Sequence, residues 1–183
     1  HSTVSWFMKQ GIHIKMPTNS REYAANISGM PRIQIVLISA SEIPKKLLSG
    51  QVDLGITGQD LIRENVPVWK EIFLELKLLN FGKADLVLSV PKFWVDVESI
   101  DDFDAVAINF RRQNGFRLRI ATKYHNIMRS YLRRMGVADY QLVDSQGATE
   151  GTIKSKSAEA IADITSSGKT LDANHLKIVG DQP

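Results

Sequence analysis

The chain has 183 residues, no cysteine, and a formal net charge of +3 from 23 basic and 20 acidic side chains. That length holds one substantial core or two small ones, and the absence of cysteine excludes disulfides, cysteine zinc sites and thiol catalysis, which fits a reducing, cytoplasmic compartment. The charge excess is mild, with Arg111-Arg112 and Arg133-Arg134 as its obvious doublets, so small anionic ligands suit it better than nucleic acid; no apolar run nears the ~18–20 residues that span a bilayer.

In chain order, residues 5–10 followed by Gly11 read as the last turns of a helix with a glycine stop. Residues 32–38 read as a strand, and a helix then opens with Ser41 as its cap and Pro44 in its first turn, running to Gly50. Residues 52–57 form a short strand, Gly58 turns, and a helix begins over 59–64. The pattern pauses at Asn80-Phe81-Gly82-Lys83, which marks the crossing from a first lobe (1–84) to a second (85–176). There, 85–91 is an apolar strand, 95–104 is acidic and irregular with Asp101-Asp102 capping a short helical piece, and 111–115 is an exposed polar turn. A strand at 117–122, a helix at 125–135 closed by Gly136, a strand at 139–143, a glycine-flanked loop at 144–151 and a strand at 158–164 follow. Strands alternating with helices predict an α/β fold with mainly parallel sheets. His1, His13, His125 and His175 are scattered without metal-ligand spacing, so no protein-held metal site is expected.

Residues 163–174, DITSSGKTLDAN, carry the most information about function. Small hydroxylated residues around Gly168 leave backbone N–H groups uncovered, and a helix starting near Leu171 aims its positive end at the turn, which makes an anion cradle. A P-loop reads G-x-x-x-x-G-K-[ST]; Gly168-Lys169-Thr170 complete its second half, but Asp163 stands in place of the first glycine. A carboxylate there disfavours triphosphate wrapping and suits the hydroxyls of a sugar phosphate. Three strand ends carry polar loops, Thr122-Lys123-Tyr124, 147–151 and 163–170, and in open α/β sheets ligands collect at such ends. Each also reads as an ordinary turn with a helix cap. That plainer reading suits Thr122-Lys123-Tyr124 better, whereas Asp163, two serines, a glycine and a threonine exceed what capping requires. The glycines of 53–58 serve either ligand approach or tight packing, and composition alone makes Arg21 a solvated surface arginine.

Six segments together resemble the catalytic chain of the ATP phosphoribosyltransferase family: Ser20-Arg21, VDLGITGQD at 52–60, Phe81-Gly82-Lys83, RIATKY at 119–124, GATE at 147–150 and AIADITSSGKTLDAN at 160–174. The last is the most specific, because that family's phosphoribosyl pyrophosphate loop has an acidic residue and then a Ser/Thr-Gly-x-Thr-Leu-x-x-Asn run. The resemblance covers about residues 5–179. It implies a two-lobed type II periplasmic-binding-protein-like fold with mixed, mainly parallel sheets, a cleft between lobes, and residues 177–183 returning to the first lobe. The chain ends at Pro183, too soon for the histidine-binding domain of long members. The similarity is therefore to the short form, which pairs with a regulatory subunit related to histidyl-tRNA synthetase, as a homodimer within a hetero-oligomer.

The activity implied is the first step of histidine biosynthesis. An adenine ring nitrogen of ATP attacks the anomeric carbon of phosphoribosyl pyrophosphate, and pyrophosphate leaves with its magnesium. By family match, Thr165, Ser166, Ser167, Gly168, Lys169 and Thr170 hold the 5′-phosphate and Asp163 faces the ribose hydroxyls. Thr122, Lys123, Tyr124, Gly147 and Glu150 line the nucleotide side, and Arg21 is the catalytic arginine that reaches the leaving pyrophosphate. Nothing before Ser5 matches the family's opening strand and its Lys-Gly-Arg turn, and His125 stands where members often have proline. The competing expectations are a two-lobed solute- or anion-binding module without catalysis, and a P-loop NTPase, which Asp163 disfavours.

Overall fold

The computed structural model describes residues 2–16, 24–145 and 149–181. The chain divides into two compact units, His1–Gly82 and Lys83–Pro183.

In the first unit, α1 (Ser2–Lys9) ends at Gly11, whose φ of +76° only glycine adopts without strain. The strands β1 (Ile14–Lys15), β2 (Ala24–Ile27) and β3 (Gln34–Val36) form an antiparallel sheet in that order. Three short helices follow: α2 (Ile43–Leu48), α3 (Gln59–Asn65) and α4 (Trp69–Ile72). The predicted cap at Ser41 is displaced by one residue. Glu42 is the N-cap, and its carboxylate accepts from the Ser39 hydroxyl at 2.6 Å and the Ser39 N–H at 3.2 Å. Residues 52–57 form no strand. Gly55 explains why: a Cβ on it would stand 2.5 Å from Ile43 Cγ2 and 2.9 Å from Leu47 Cδ1, so this glycine lets the segment press onto α2. Tight packing, one of the two roles open to these glycines, is the one the structure uses at Gly55.

The second unit holds nearly all of the core. Its elements are β4 (Asp85–Pro91), α5 (Ile100–Asn114), β5 (Leu118–Thr122), α6 (His125–Arg134), β6 (Tyr140–Asp144), α7 (Gly151–Lys154), β7 (Ala160–Thr165), α8 (Lys169–Ala173) and β8 (Leu176–Val179). The five strands pair in the order β6-β5-β7-β4-β8. Parallel pairing is confined to β6-β5-β7; β4 is antiparallel to both β7 and β8, because it begins, with Asp85 opposite Thr165, where β7 finishes. The sheets are thus mixed, as expected, with less parallel pairing than strand–helix alternation alone predicts. Residues 177–183 were expected to return to the first lobe. Instead Leu176–Val179 pairs with β4, the Gly180 N–H donates to the Glu98 carbonyl at 3.0 Å, and the Tyr131 hydroxyl donates to the Asp181 carbonyl at 2.8 Å. Burying Leu176 and Val179 in this sheet removes them from water, and that fixes the choice.

Register assigns the faces. Leu88, Ala162, Thr122 and Val179 pair across one face; on the other, Val87, Ala121, Ile161, Ala158, Leu171 and Leu176 form a buried cluster against which Ile153 packs. So α7 and α8 cover this second face. The crossovers β5-α6-β6 and β6-α7-β7 step across the sheet in opposite directions, so right-handed connections place α6 on the first. Its buried residues, Ile127, Met128, Tyr131 and Leu132, recur at helical spacing.

The acidic stretch expected to be irregular is instead the start of a 15-residue helix, α5. Ser99 and Asp102 form a capping box: the Ser99 hydroxyl accepts from the Asp102 N–H at 3.2 Å, and the Asp102 carboxylate accepts from the Ser99 N–H at 2.8 Å. Ile100, Phe103 and Ala107 bury one face, and the helix runs on through Arg111-Arg112 to Gly115 at φ +78°. The polar turn read at 111–115 is therefore the last turn and left-handed stop of this helix.

Candidate active site

The loops after β5, β6 and β7 leave the same end of the sheet, because these three neighbours are parallel. The helices that follow β5 and β7 lie on opposite faces. That makes the gap between these two strand ends a topological switch point, the place where open α/β sheets take their ligands. The sequence placed its strongest candidates there. Thr122 pairs with Ala162, so Lys123 and Asp163 each follow by one residue on adjacent strands, and Asp144 pairs with Thr122 on the other side.

Asp163 lies opposite Val87, on the face that α8 covers, and its Oδ1 accepts the Ile164 N–H at 2.8 Å. Beyond β7 the chain turns at Gly168, with φ +68°. A Cβ there would meet nothing within 4 Å, so the need for glycine is conformational. Thr165 Oγ1 accepts the Gly168 N–H at 2.8 Å and holds the turn closed. Ser166, Ser167, Lys169 and Thr170 around it are exposed. Lys169 and Thr170 open α8, whose first-turn N–H groups have no partner four residues back. Hydroxyls, amides and one ammonium thus surround a turn with no side chain at its centre, which is the donor set an anion needs. The five-residue α8 starts two residues earlier than predicted, at Lys169. It is pinned by the Lys92–Asp172 ion pair and by Lys154 Nζ donating to Asn174 Oδ1 at 3.0 Å. The hydrogen bond from Lys92, with its charge, holds the Asp172 carboxyl below its usual range.

On the other side of the switch point, Thr122 and Tyr124 are buried and Lys123 is exposed. Thr122 Oγ1 accepts the Tyr124 N–H at 3.0 Å, so this hydroxyl shapes the start of α6. Glu150 is half-buried and stands as the N-cap residue of α7. Arg21 and Gly147 lie outside the described residues. Sequence reasoning passed over two further features. Asp144 ends β6 with an exposed carboxylate 2.8 Å from Nε2 of His125, the first residue of α6. Ser145 and Thr149 are buried hydroxyl residues on either side of residues 146–148, and their spacing within a polar loop gave no hint of burial.

The HisG family, ATP phosphoribosyltransferase, matches residues 39–182. The ATP phosphoribosyltransferase of Cereibacter sphaeroides is 54% identical over 179 residues, spanning 98% of this chain and 76% of that protein. Among solved structures, the ATP phosphoribosyl transferase (HisG:HisZ) complex from Thermotoga maritima superposes with a TM-score of 0.69 at 22% identity, over 99% of this chain and 76% of that one. The probable amino-acid ABC transporter extracellular-binding protein ytmK from Bacillus subtilis gives 0.50 at 15% identity, over 81% and 60%. At such identities the structural likenesses speak to fold, which is the two-lobed type II periplasmic-binding-protein fold. The identity along nearly the whole chain speaks to family, and the family match over residues 39–182 takes in the Gly168 turn, the Lys123 loop and Glu150: the chain belongs to the ATP phosphoribosyltransferase family.

Proposed function

We infer that the chain transfers the 5-phosphoribosyl group from phosphoribosyl pyrophosphate to the adenine ring of ATP, giving phosphoribosyl-ATP and pyrophosphate, the first step of histidine biosynthesis. The observation that carries this reading is the side-chain-free turn at Gly168 beside Asp163, at the switch point of a chain whose family is known. The ring nitrogen's lone pair forms the new bond to the anomeric carbon, and the electron pair of the breaking C–O bond leaves on pyrophosphate. No covalent enzyme intermediate is needed.

The residues divide the work by chemistry. Ser166, Ser167, Gly168, Lys169 and Thr170 receive the 5′-phosphate, with Thr165 keeping the turn closed. Asp163 already spends Oδ1 on its own backbone neighbour, and Oδ2 accepts from a ribose hydroxyl. Lys123, one residue past the parallel partner of Ala162, serves the nucleotide side together with Glu150, and buried Thr122 and Tyr124 shape that loop; Gly147 is assigned to the nucleotide by family match alone. Arg21 neutralises charge that grows on the leaving group. Among the described residues no three His, Asp or Glu side chains converge as a metal cage. Magnesium usually keeps its waters and binds through substrate phosphates; bound to the pyrophosphate, it would supply further neutralisation of the leaving charge.

The T. maritima structure is named as a HisG:HisZ complex. By analogy this chain works with a HisZ-like regulatory subunit; the family resemblance further implies a homodimer within a hetero-oligomer, a regulatory subunit related to histidyl-tRNA synthetase, and the cytoplasm. No helix among the described residues is long and apolar enough to cross a membrane. A solute-binding module without chemistry shares the fold, but that likeness, at 15% identity, carries no function. Mixing the full-length protein with ATP, phosphoribosyl pyrophosphate and magnesium, with and without the regulatory subunit, tests the reading. Phosphoribosyl-ATP is expected, and its absence from both mixtures would sink the proposal.

A further inference from the structure

A run of hydrogen bonds through Ser145, Thr149 and the backbone of Thr122 reaches the site, and its Ser145 and Thr149 hydroxyls have no role in the chemistry above. Thr122, Ser145 and Thr149 are 0%, 6% and 1% exposed. Thr149 Oγ1 donates to Ser145 Oγ at 3.1 Å, and the Ser145 N–H donates to the Thr122 carbonyl at 3.3 Å. On the far side the Thr152 hydroxyl donates to the Thr149 carbonyl at 2.7 Å, and the Thr152 carbonyl accepts the Ser155 and Ser157 hydroxyls, each at 3.1 Å. The run therefore joins the end of β5, the end of β6 and the start of α7. Thr122 immediately precedes Lys123, and Thr149 immediately precedes Glu150. Valine would fill the volume of Thr149 without a polar atom to desolvate; the threonine instead keeps one buried hydrogen bond, to Ser145 Oγ, which couples the residue before Glu150 to the end of β6.

We propose that Ser145 and Thr149 are positioning residues for the nucleotide side of the site: their hydroxyl pair fixes Glu150 and the start of α7 against the end of β5. The inference rests on the phosphoribosyl-transfer reading. It assigns the pair to one substrate only. The phosphate turn after β7 is closed by its own bond, Thr165 Oγ1 accepting the Gly168 N–H, and shares none of these hydroxyls; α8 behind it is tied to Lys92 and, through Asn174, to Lys154 at the far end of α7 from Glu150.

The test compares wild type with Thr149→Val, Thr149→Ser and Ser145→Ala in the full-length protein with its regulatory subunit, titrating each substrate while the other is saturating. Loss of one buried hydrogen bond raises KM for ATP roughly five- to tenfold in Thr149→Val and in Ser145→Ala, while KM for phosphoribosyl pyrophosphate stays within about twofold. Thr149→Ser keeps the hydroxyl but loses a packed methyl, so it lowers Tm yet holds KM for ATP within about twofold of wild type. The double variant Ser145→Ala with Thr149→Val is no worse in KM for ATP than the worse single, since one contact is shared. Both KM values rising together, or KM for ATP following Tm through Thr149→Ser, overturns the assignment. Should Thr149→Val not fold, Ser145→Ala carries the same comparison. An inactive wild type overturns the transfer reading and the inference with it; an active wild type with unchanged KM for ATP in the variants overturns the inference alone.

Discussion

Gly168 concentrates the argument at the scale of single residues. Its φ of +68° excludes a β-branched side chain, and the open space around its Cα means that nothing else does. Gly168→Val should cost about 1–2 kcal/mol of stability through the backbone alone and should weaken phosphoribosyl pyrophosphate binding at least tenfold. Calorimetric titration checks this; retained affinity would reduce the turn to the start of a helix. Arg21 rests on family match, since it lies outside the described residues. If it acts on charge that develops during bond breaking, Arg21→Ala should lower kcat by roughly 10²–10³ with little change in substrate affinity. An unchanged turnover number would remove it from the mechanism. The glycine, the hydroxyls and Asp163 of the candidate site were proposed from type and spacing alone, because their chemistry is local. Thr122 and Tyr124 were not legible in the same way, because burial is decided by strands distant in sequence, and only the structure shows one hydroxyl turned to the Tyr124 amide.

At the scale of elements, α5 shows why a real signal can be misread. Asp101 and Asp102 look like an irregular acidic run, yet Ser99-x-x-Asp102 is a capping box, and Ile100, Phe103 and Ala107 supply the apolar face behind it. Asp102 is held below the usual carboxylate range, first by the Ser99 hydroxyl and then by the N–H groups of Ser99 and Glu98. Its folded pKa is thus lower than its unfolded one, so its contribution is complete above about pH 5 and is lost as pH falls through the folded value. Ser99→Ala should cost about 1 kcal/mol at pH 7, and the Tm gap from wild type should narrow toward pH 3. Thermal melts across that range decide it, and a gap that stays constant would mean the carboxylate's charge is irrelevant to the cap. The segment at 52–57 erred in the other direction. Its alternating apolar residues suggested a strand, but Gly55 draws it onto Ile43 and Leu47 of α2, a tertiary contact that no local pattern reveals.

For the whole molecule, strand–helix alternation gave the α/β class, and the order of turns gave the loops that meet at the sheet end. It could not give β4 running against its neighbours, nor β8 pairing on β4's outer edge, because pairing partners are chosen by burial of residues such as Leu176 and Val179. That same arrangement creates the switch point. With α8 on one face and α6 on the other, the Gly168 turn and the Lys123 loop stand at the ends of adjacent parallel strands, where open α/β sheets take ligands, and the proposed function gives the first to the sugar phosphate and the second to the nucleotide. The account therefore stands or falls on group transfer between two substrates bound side by side. The most direct measurement follows phosphorus-31 resonances of phosphoribosyl pyrophosphate and ATP with magnesium, the full-length protein and its regulatory subunit. One pyrophosphate released for each phosphoribosyl-ATP formed is the predicted result; pyrophosphate appearing with free ribose 5-phosphate, or no change in either substrate, would contradict it.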